Sequence, residues 1–202
     1  GKSYGSEVSG VARKYGHVID VSTVDKAIRN GIAYMTEDRK AYGLVLFKDI
    51  TWNISLCNLQ SISDRGVIQK HKEEQLAKTG VERTKVKAIN LKQTVSSLSG
   101  GNQQKVLLSK WLAAKPDVLI LDEPTRGIDV GAKYEIYCVI NELASIGKSI
   151  IVISSDMSEL LGISDRIYVL SEGEIAADMK KDEATQASIM KAIMDCQARR
   201  TK

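Results

Sequence analysis

Leu119-Ile120-Leu121-Asp122-Glu123-Pro124-Thr125 is the stretch that decides the fold. An apolar run opening at Val118 closes on two adjacent carboxylates and then on a proline, which cannot continue a strand ladder. Such a bounded apolar run reads as a buried strand. In open parallel α/β sheets ligands bind beyond the carboxyl ends of the strands, which is where Asp122 falls, with Glu123 beside it. Neighbouring acids are costly unless something cationic or protic uses them. In a nucleotide hydrolase the first would hold Mg2+, directly or through water, and the second would polarise the attacking water. Alone, the same run also fits an ordinary capped strand end.

Working outward, a helix is expected from Asn102 to Ala114, broken by Pro116-Asp117 ahead of the strand. Downstream, a helix over 130–146 stops at Gly147. A strand over 149–154 follows, and Ser155 or Asp156 caps a short helix through Leu161. This alternation predicts a mostly parallel α/β sheet. Arg166 to Ala177 reads as two strands joined through Ser171-Glu172-Gly173-Glu174, and 183–195 as a closing helix. Near the start, Ser22 with Asp25 reads as a helix cap and Gly31 as its stop, before the strand Ile32-Ala33-Tyr34-Met35. Residues 44–90 read as a polar, mostly helical lobe. It is capped near Asp49, has a loop at Ser63-Asp64-Arg65-Gly66, and its last helix ends near Gly80.

A second motif lies upstream, Leu98-Ser99-Gly100-Gly101-Asn102-Gln103-Gln104-Lys105, a serine and two glycines opening a helix. Glycines let a backbone approach a ligand, and a helix N-terminus offers free N–H groups, so the segment suits phosphate oxygens. A flexible cap loop accounts for it equally well when taken alone.

Bulk properties narrow the classes. The chain has 202 residues with 43% hydrophobic and 27% charged, enough for a core and for one globular domain by default. Its 29 Lys+Arg are scattered among 25 Asp+Glu for a net charge of +4, too weak a bias to argue nucleic acid. Cys57, Cys138 and Cys196 are odd in number and lack metal-ligand spacing, so three reduced thiols in a cytosolic protein are expected. No apolar stretch approaches a membrane span, so membrane contact is expected to run through a partner.

The two motifs in this order, followed by Thr125-Arg126-Gly127-Ile128-Asp129, resemble the ABC-transporter ATPase family, whose signature motif, Walker B strand and D-loop succeed one another. The resemblance covers roughly residues 10–195. Within it, Leu98 to Lys105, Glu123 to Lys133 and Glu37-Asp38-Arg39-Lys40 look like the C-terminal ATPase half of monosaccharide importers of the ribose, galactose and multiple-sugar types.

That resemblance implies an α/β, P-loop NTPase-like ABC ATPase core with a mostly parallel sheet. The helical subdomain would span about 44–114, the core about 10–43 and 115–182, and a C-terminal helix 183–195. ATP and Mg2+ are the implied cofactors. Ser99, Gly100 and Gly101, with Asn102 in place of the usual signature glutamine, would reach the γ-phosphate of ATP held by a partner half. Asp122 would support Mg2+, Glu123 would act as general base, and Asp129 would connect two sites across the interface. Glu37 falls where the family's Q-loop glutamine senses Mg2+ and passes movement to the permease. The implied partners are a transmembrane sugar permease, the other ATPase half and, indirectly, a sugar-binding protein, with no nucleic acid. The implied location is the cytoplasmic face of the membrane.

Besides Asn102, the sequence departs from the pattern at three places. Ser155 stands where the switch histidine belongs, and a hydroxyl can bond a phosphate but carries no positive charge. Glu37 brings a carboxylate to a glutamine position. Gly1-Lys2-Ser3 imitates the tail of G-x-x-x-x-G-K-S/T, yet Gly5, Ser9 and Gly10 leave no room for the helix that a P-loop opens. Gly1 to Gly5 instead matches the loop after the Walker A helix, so the P-loop is expected upstream of residue 1, with the chain a fragment. Two rival readings are a soluble ABC ATPase acting without a permease and a docking or regulatory half. The long basic or coiled-coil insertions expected of the former are not found in this sequence.

The remaining candidates are minor. His17 and His71 read as surface residues. Trp52 and Trp111 read as packing, and Met190 with Met194 as the packed face of the last helix.

Overall fold

The structure, a computed structural model, describes residues 9–200. Gly1-Lys2-Ser3, the P-loop look-alike with Lys2, lies outside the described residues. The chain divides into two compact units, Gly1–Ile153 and Ser154–Lys202.

The first unit opens with a hairpin, β1 (Ala12–Lys14) and β2 (His17–Ile19). Its turn residues Tyr15 and Gly16 both have positive φ, 50° and 80°, as a tight two-residue turn requires. Helix α1 (Val24–Arg29) is capped by Thr23, whose hydroxyl accepts from the Lys26 N–H. Ser22, the expected cap, lies one residue before Thr23: its N–H donates to Asp20 at 2.9 Å and its hydroxyl accepts from Lys26 Nζ at 3.2 Å. Gly31 ends the helix at φ 74° and leads into β3 (Ile32–Met35), as expected.

The lobe begins with α2 (Ile50–Ser55), capped by Asp49 as expected, and α3 (Leu59–Ile62). Of residues 63–66, expected as a loop, the first two form β4 (Ser63–Asp64) and Arg65-Gly66 the turn of a short hairpin to β5 (Val67–Ile68). The helix expected to stop near Gly80 continues as α4 (Lys70–Thr84). Gly80 is a crossing point, not a terminus: a β-carbon there would lie 3.3 Å from the Ser109 β-carbon. Its carbonyl accepts from the Ser109 and Thr84 hydroxyls at 3.1 and 3.0 Å. The helix ends only where Lys85 turns left-handed at φ 54°.

Helix α5 (Gly100–Ala113) starts two residues before the expected Asn102, because Ser99 is its cap. It is buried on nearly all faces, with Leu107 and Leu108 fully enclosed. Strand β6 (Val118–Asp122), helix α6 (Val130–Ser145) and strand β7 (Ser149–Ile153) complete the unit. The sheet runs β3-β6-β7, wholly parallel as expected. Met35, Leu121 and Val152 share one register position, and the first two are fully buried. On the opposite face Tyr34, Ile120 and Ile151 line up, and Ile151 is 50% exposed. Asp117, before β6, accepts from Lys14 Nζ at 2.6 Å and Lys148 Nζ at 3.0 Å, tying the hairpin to the foot of the sheet.

In the second unit Asp156, one of the two expected caps, accepts from the N–H groups of Ser158 and Glu159 at the start of α7 (Met157–Ile163). The expected hairpin is present as β8 (Arg166–Ser171) and β9 (Glu174–Lys180). Helix α8 (Gln186–Arg200) closes the unit. Its core joins Ile167 and Val169 to Ala184 and Ile189, with Ile193 against them. The Met190–Met194 pair is exposed instead, because the buried stripe runs one position earlier through Ile189 and Ile193. Among the described residues no helix is long and apolar enough to cross a membrane. His17 and His71 are exposed, as expected.

Candidate functional site

Two helix N-termini meet in the first unit. Ser99 caps α5: its hydroxyl accepts from the Asn102 backbone N–H at 3.4 Å and from the Asn102 side chain at 3.0 Å. The Asn102 amide oxygen in turn accepts from the Lys87 N–H at 2.8 Å, which fixes the segment leading into the cap. Asp129 caps α6, accepting from the Ala132 N–H at 3.0 Å, and this bond holds its carboxyl below the ordinary range. Gly101 is what lets the two helices meet, since a β-carbon there would lie 2.6 Å from that of Ala132.

Ser99, Gly101, Asn102 and Asp129 line one depression of about 250 Å³, together with Lys87, Lys105 and Glu135. Lys105 is buried and donates to the Lys85 carbonyl at 3.1 Å while pairing with Glu135. That pairing holds the Glu135 carboxyl low. The depression therefore combines two capped helix starts with a neutralised lysine-carboxylate pair.

The strand-end carboxylates are held separately. Asp122, half-buried at the end of β6, accepts from the Tyr34 hydroxyl at 2.6 Å through Oδ2. Tyr34 pairs in register with Ile120, so it shares a face with Asp122 two residues on. Glu123 has φ 46°, the left-handed region that non-glycine residues enter at a cost of about 1–2 kcal/mol. Its N–H donates to the Ile153 carbonyl at 2.8 Å, anchoring the turn to β7. Strain of this sort gathers at functional sites.

Glu37 is paired with Arg126 in the segment between β6 and α6. Arg39 donates to the Arg126 carbonyl at 3.3 Å, and its guanidinium lies 2.9 Å from where a Gly100 β-carbon would be. The segment after β3, the start of α5 and the turn after Glu123 are thus in mutual contact. Ser155 belongs to the second unit, exposed and immediately before the Asp156 cap.

Three participants were missed in the sequence: Tyr34, Arg39 and Arg126. Strand alternation places Tyr34 on the Asp122 face once the register is known. No signal in the sequence pairs Arg126 with a residue 89 positions away.

A family model described as "ABC transporter" matches residues 8–126, and the chain belongs to that family. It is 54% identical to the L-arabinose transport ATP-binding protein AraG of Geobacillus stearothermophilus, over 95% of this chain and 37% of that protein. It is 51% identical to the ribose import ATP-binding protein RbsA of Clostridium tetani, over 86% of this chain and 34% of the relative. The xylose import ATP-binding protein XylG of Geobacillus kaustophilus is 54% identical, over 87% and 35%. The chain thus spans little more than a third of these relatives. The fold is that of an ABC ATPase: a dimeric post-hydrolysis state of the cassette MJ0796 bound to ADP and Pi matches with TM-score 0.70. That match has 21% identity and covers 83% of this chain and 72% of the other.

Proposed function

We propose that this chain forms part of the energy-coupling ATPase of a monosaccharide importer. It contributes a signature segment, a Walker B strand end and a D-loop to ATP sites shared with a second ATP-binding half. The observation that carries the reading is the packing of the Ser99-capped helix start against the Asp129-capped one, with Gly101 as the contact.

On this reading Ser99, Gly100, Gly101 and Asn102 present a hydroxyl and backbone N–H groups to the γ-phosphate of ATP on the partner half. Asp129 fixes their position relative to the turn that carries Glu123. Glu123 accepts a proton from the attacking water. Ser155 donates a neutral hydrogen bond to phosphate, a weaker stabiliser than a charged histidine.

The donor chemistry at the strand end fits Mg2+, which takes hard oxygen ligands and typically uses one or two carboxylates plus substrate phosphates. Asp122 offers Oδ1 while Tyr34 occupies Oδ2. When bound, Mg2+ supplies neutralisation of phosphate charge. Glu37 acts at the edge of this site through Arg126. The partners are a transmembrane sugar permease, a second ATPase half and, through the permease, a sugar-binding protein. The chain would sit peripherally on the cytoplasmic face of the membrane. Three relatives named for arabinose, ribose and xylose transport support a monosaccharide as cargo.

The test is ATP hydrolysis and labelled-sugar uptake in vesicles carrying the full-length protein and its permease. Glu123→Gln and Ser99→Arg should each reduce both. Uptake that persists with both substitutions present would overturn the reading.

A further inference from the structure

We infer that Tyr34 is a positioning residue for the metal-supporting carboxylate of Asp122. This rests on the proposed role of Asp122. A carboxylate at the end of a strand is free to rotate about its last torsion and presents two equivalent oxygens. Here the symmetry is broken, because the Tyr34 hydroxyl donates to Oδ2 at 2.6 Å, a short O–H···O bond.

The donor is itself placed by the fold. Tyr34 sits on β3 in parallel register with Ile120 of β6, with Met35 fully buried beside it. A hydroxyl reaching diagonally along this face meets the side chain two residues further on β6, which is Asp122. The backbone pairing of β3 with β6 therefore sets which carboxylate oxygen faces away from the sheet. Groups that orient a metal-binding carboxylate typically change metal affinity about 10- to 100-fold when removed. The same hydroxyl holds the carboxylate oriented before any ion arrives, so the entropy of fixing it is not lost on binding.

The experiment titrates Mn2+ into the full-length protein with ATP present, following dissociation constant and the electron paramagnetic resonance spectrum of the bound ion. Native protein is compared with Tyr34→Phe and Asp122→Asn, and ATP affinity is measured separately in EDTA. Phenylalanine keeps the ring and the strand preference of the site, so folding is retained. The expected result is at least about 10-fold weaker Mn2+ binding and an altered spectrum in Tyr34→Phe, with ATP affinity in EDTA unchanged. If Tyr34→Phe matches native in both affinity and spectrum while Asp122→Asn binds more weakly, Tyr34 only packs and the inference falls. If native and Asp122→Asn bind Mn2+ alike, the assignment of Asp122 itself falls, and the inference with it.

Discussion

Gly101 at the start of α5 and Ala132 at the start of α6 approach so closely that a single added β-carbon on Gly101 would stand 2.6 Å from that of Ala132. The neighbour is a short side chain fixed to a helix, so it cannot swing aside. Gly101→Ala must therefore push the two helix starts apart. Overpacking of this kind costs about 1–3 kcal/mol. Urea denaturation should show a loss in that range, and on the proposed function nucleotide-driven pairing with a second ATPase half should be weakened further. An unchanged midpoint would mean that the two helix starts separate freely.

Glu37 and Arg126 give the opposite expectation. Their side chains are 51% and 64% exposed, so water screens the pair and holding two long side chains offsets part of the attraction. Glu37→Gln should change unfolding free energy by less than about 1 kcal/mol, and the difference should shrink in high salt. A larger, salt-independent loss would show that the pair is desolvated. Any marked effect of Glu37→Gln on ATP hydrolysis then belongs to the site and not to folding.

The parallel strands and the serine and glycines that open α5 were legible in the sequence because each rests on local chemistry. Apolar runs between breakers, and Ser or Asp before a helix, act over a few residues. What escaped was decided by contacts far apart in sequence. Gly80 looks like a helix stop until Ser109 is seen against it. Glu37 reads only as a carboxylate at a glutamine position until Arg126 is found beside it. In each case local propensity was outbid by a partner that the window did not contain.

Asp117 links stability to pH. Hydrogen bonds from Lys14, first, and from Lys148 hold its carboxyl below the ordinary carboxylate range. A depressed folded-state value contributes stability that is complete above the unfolded value of about 3.9 and is lost as pH falls through the folded one. Native chain should therefore exceed Asp117→Asn in urea midpoint at pH 7 and at pH 5, and the gap should narrow below pH 4. The carboxylate is 42% exposed, so the gap should also be small and salt-sensitive. A gap independent of pH would assign the loss to packing.

Lys105 is the most deeply placed charge beside the depression, only 3% exposed, and it has two acceptors: the Lys85 carbonyl at 3.1 Å and the Glu135 carboxylate. It joins the end of α4, the body of α5 and the first turns of α6. Glu135→Ala leaves the ammonium buried with the Lys85 carbonyl as its remaining acceptor, which should cost about 1–3 kcal/mol in urea denaturation. Lys105→Met removes the charge that needs a partner while keeping the apolar stem. The double variant Lys105→Met with Glu135→Ala should therefore be more stable than Glu135→Ala alone, since the cost of a broken buried pair lies mainly in the charge left behind. If the two substitutions instead simply add, the pair is not coupled and the three helices are held by packing alone.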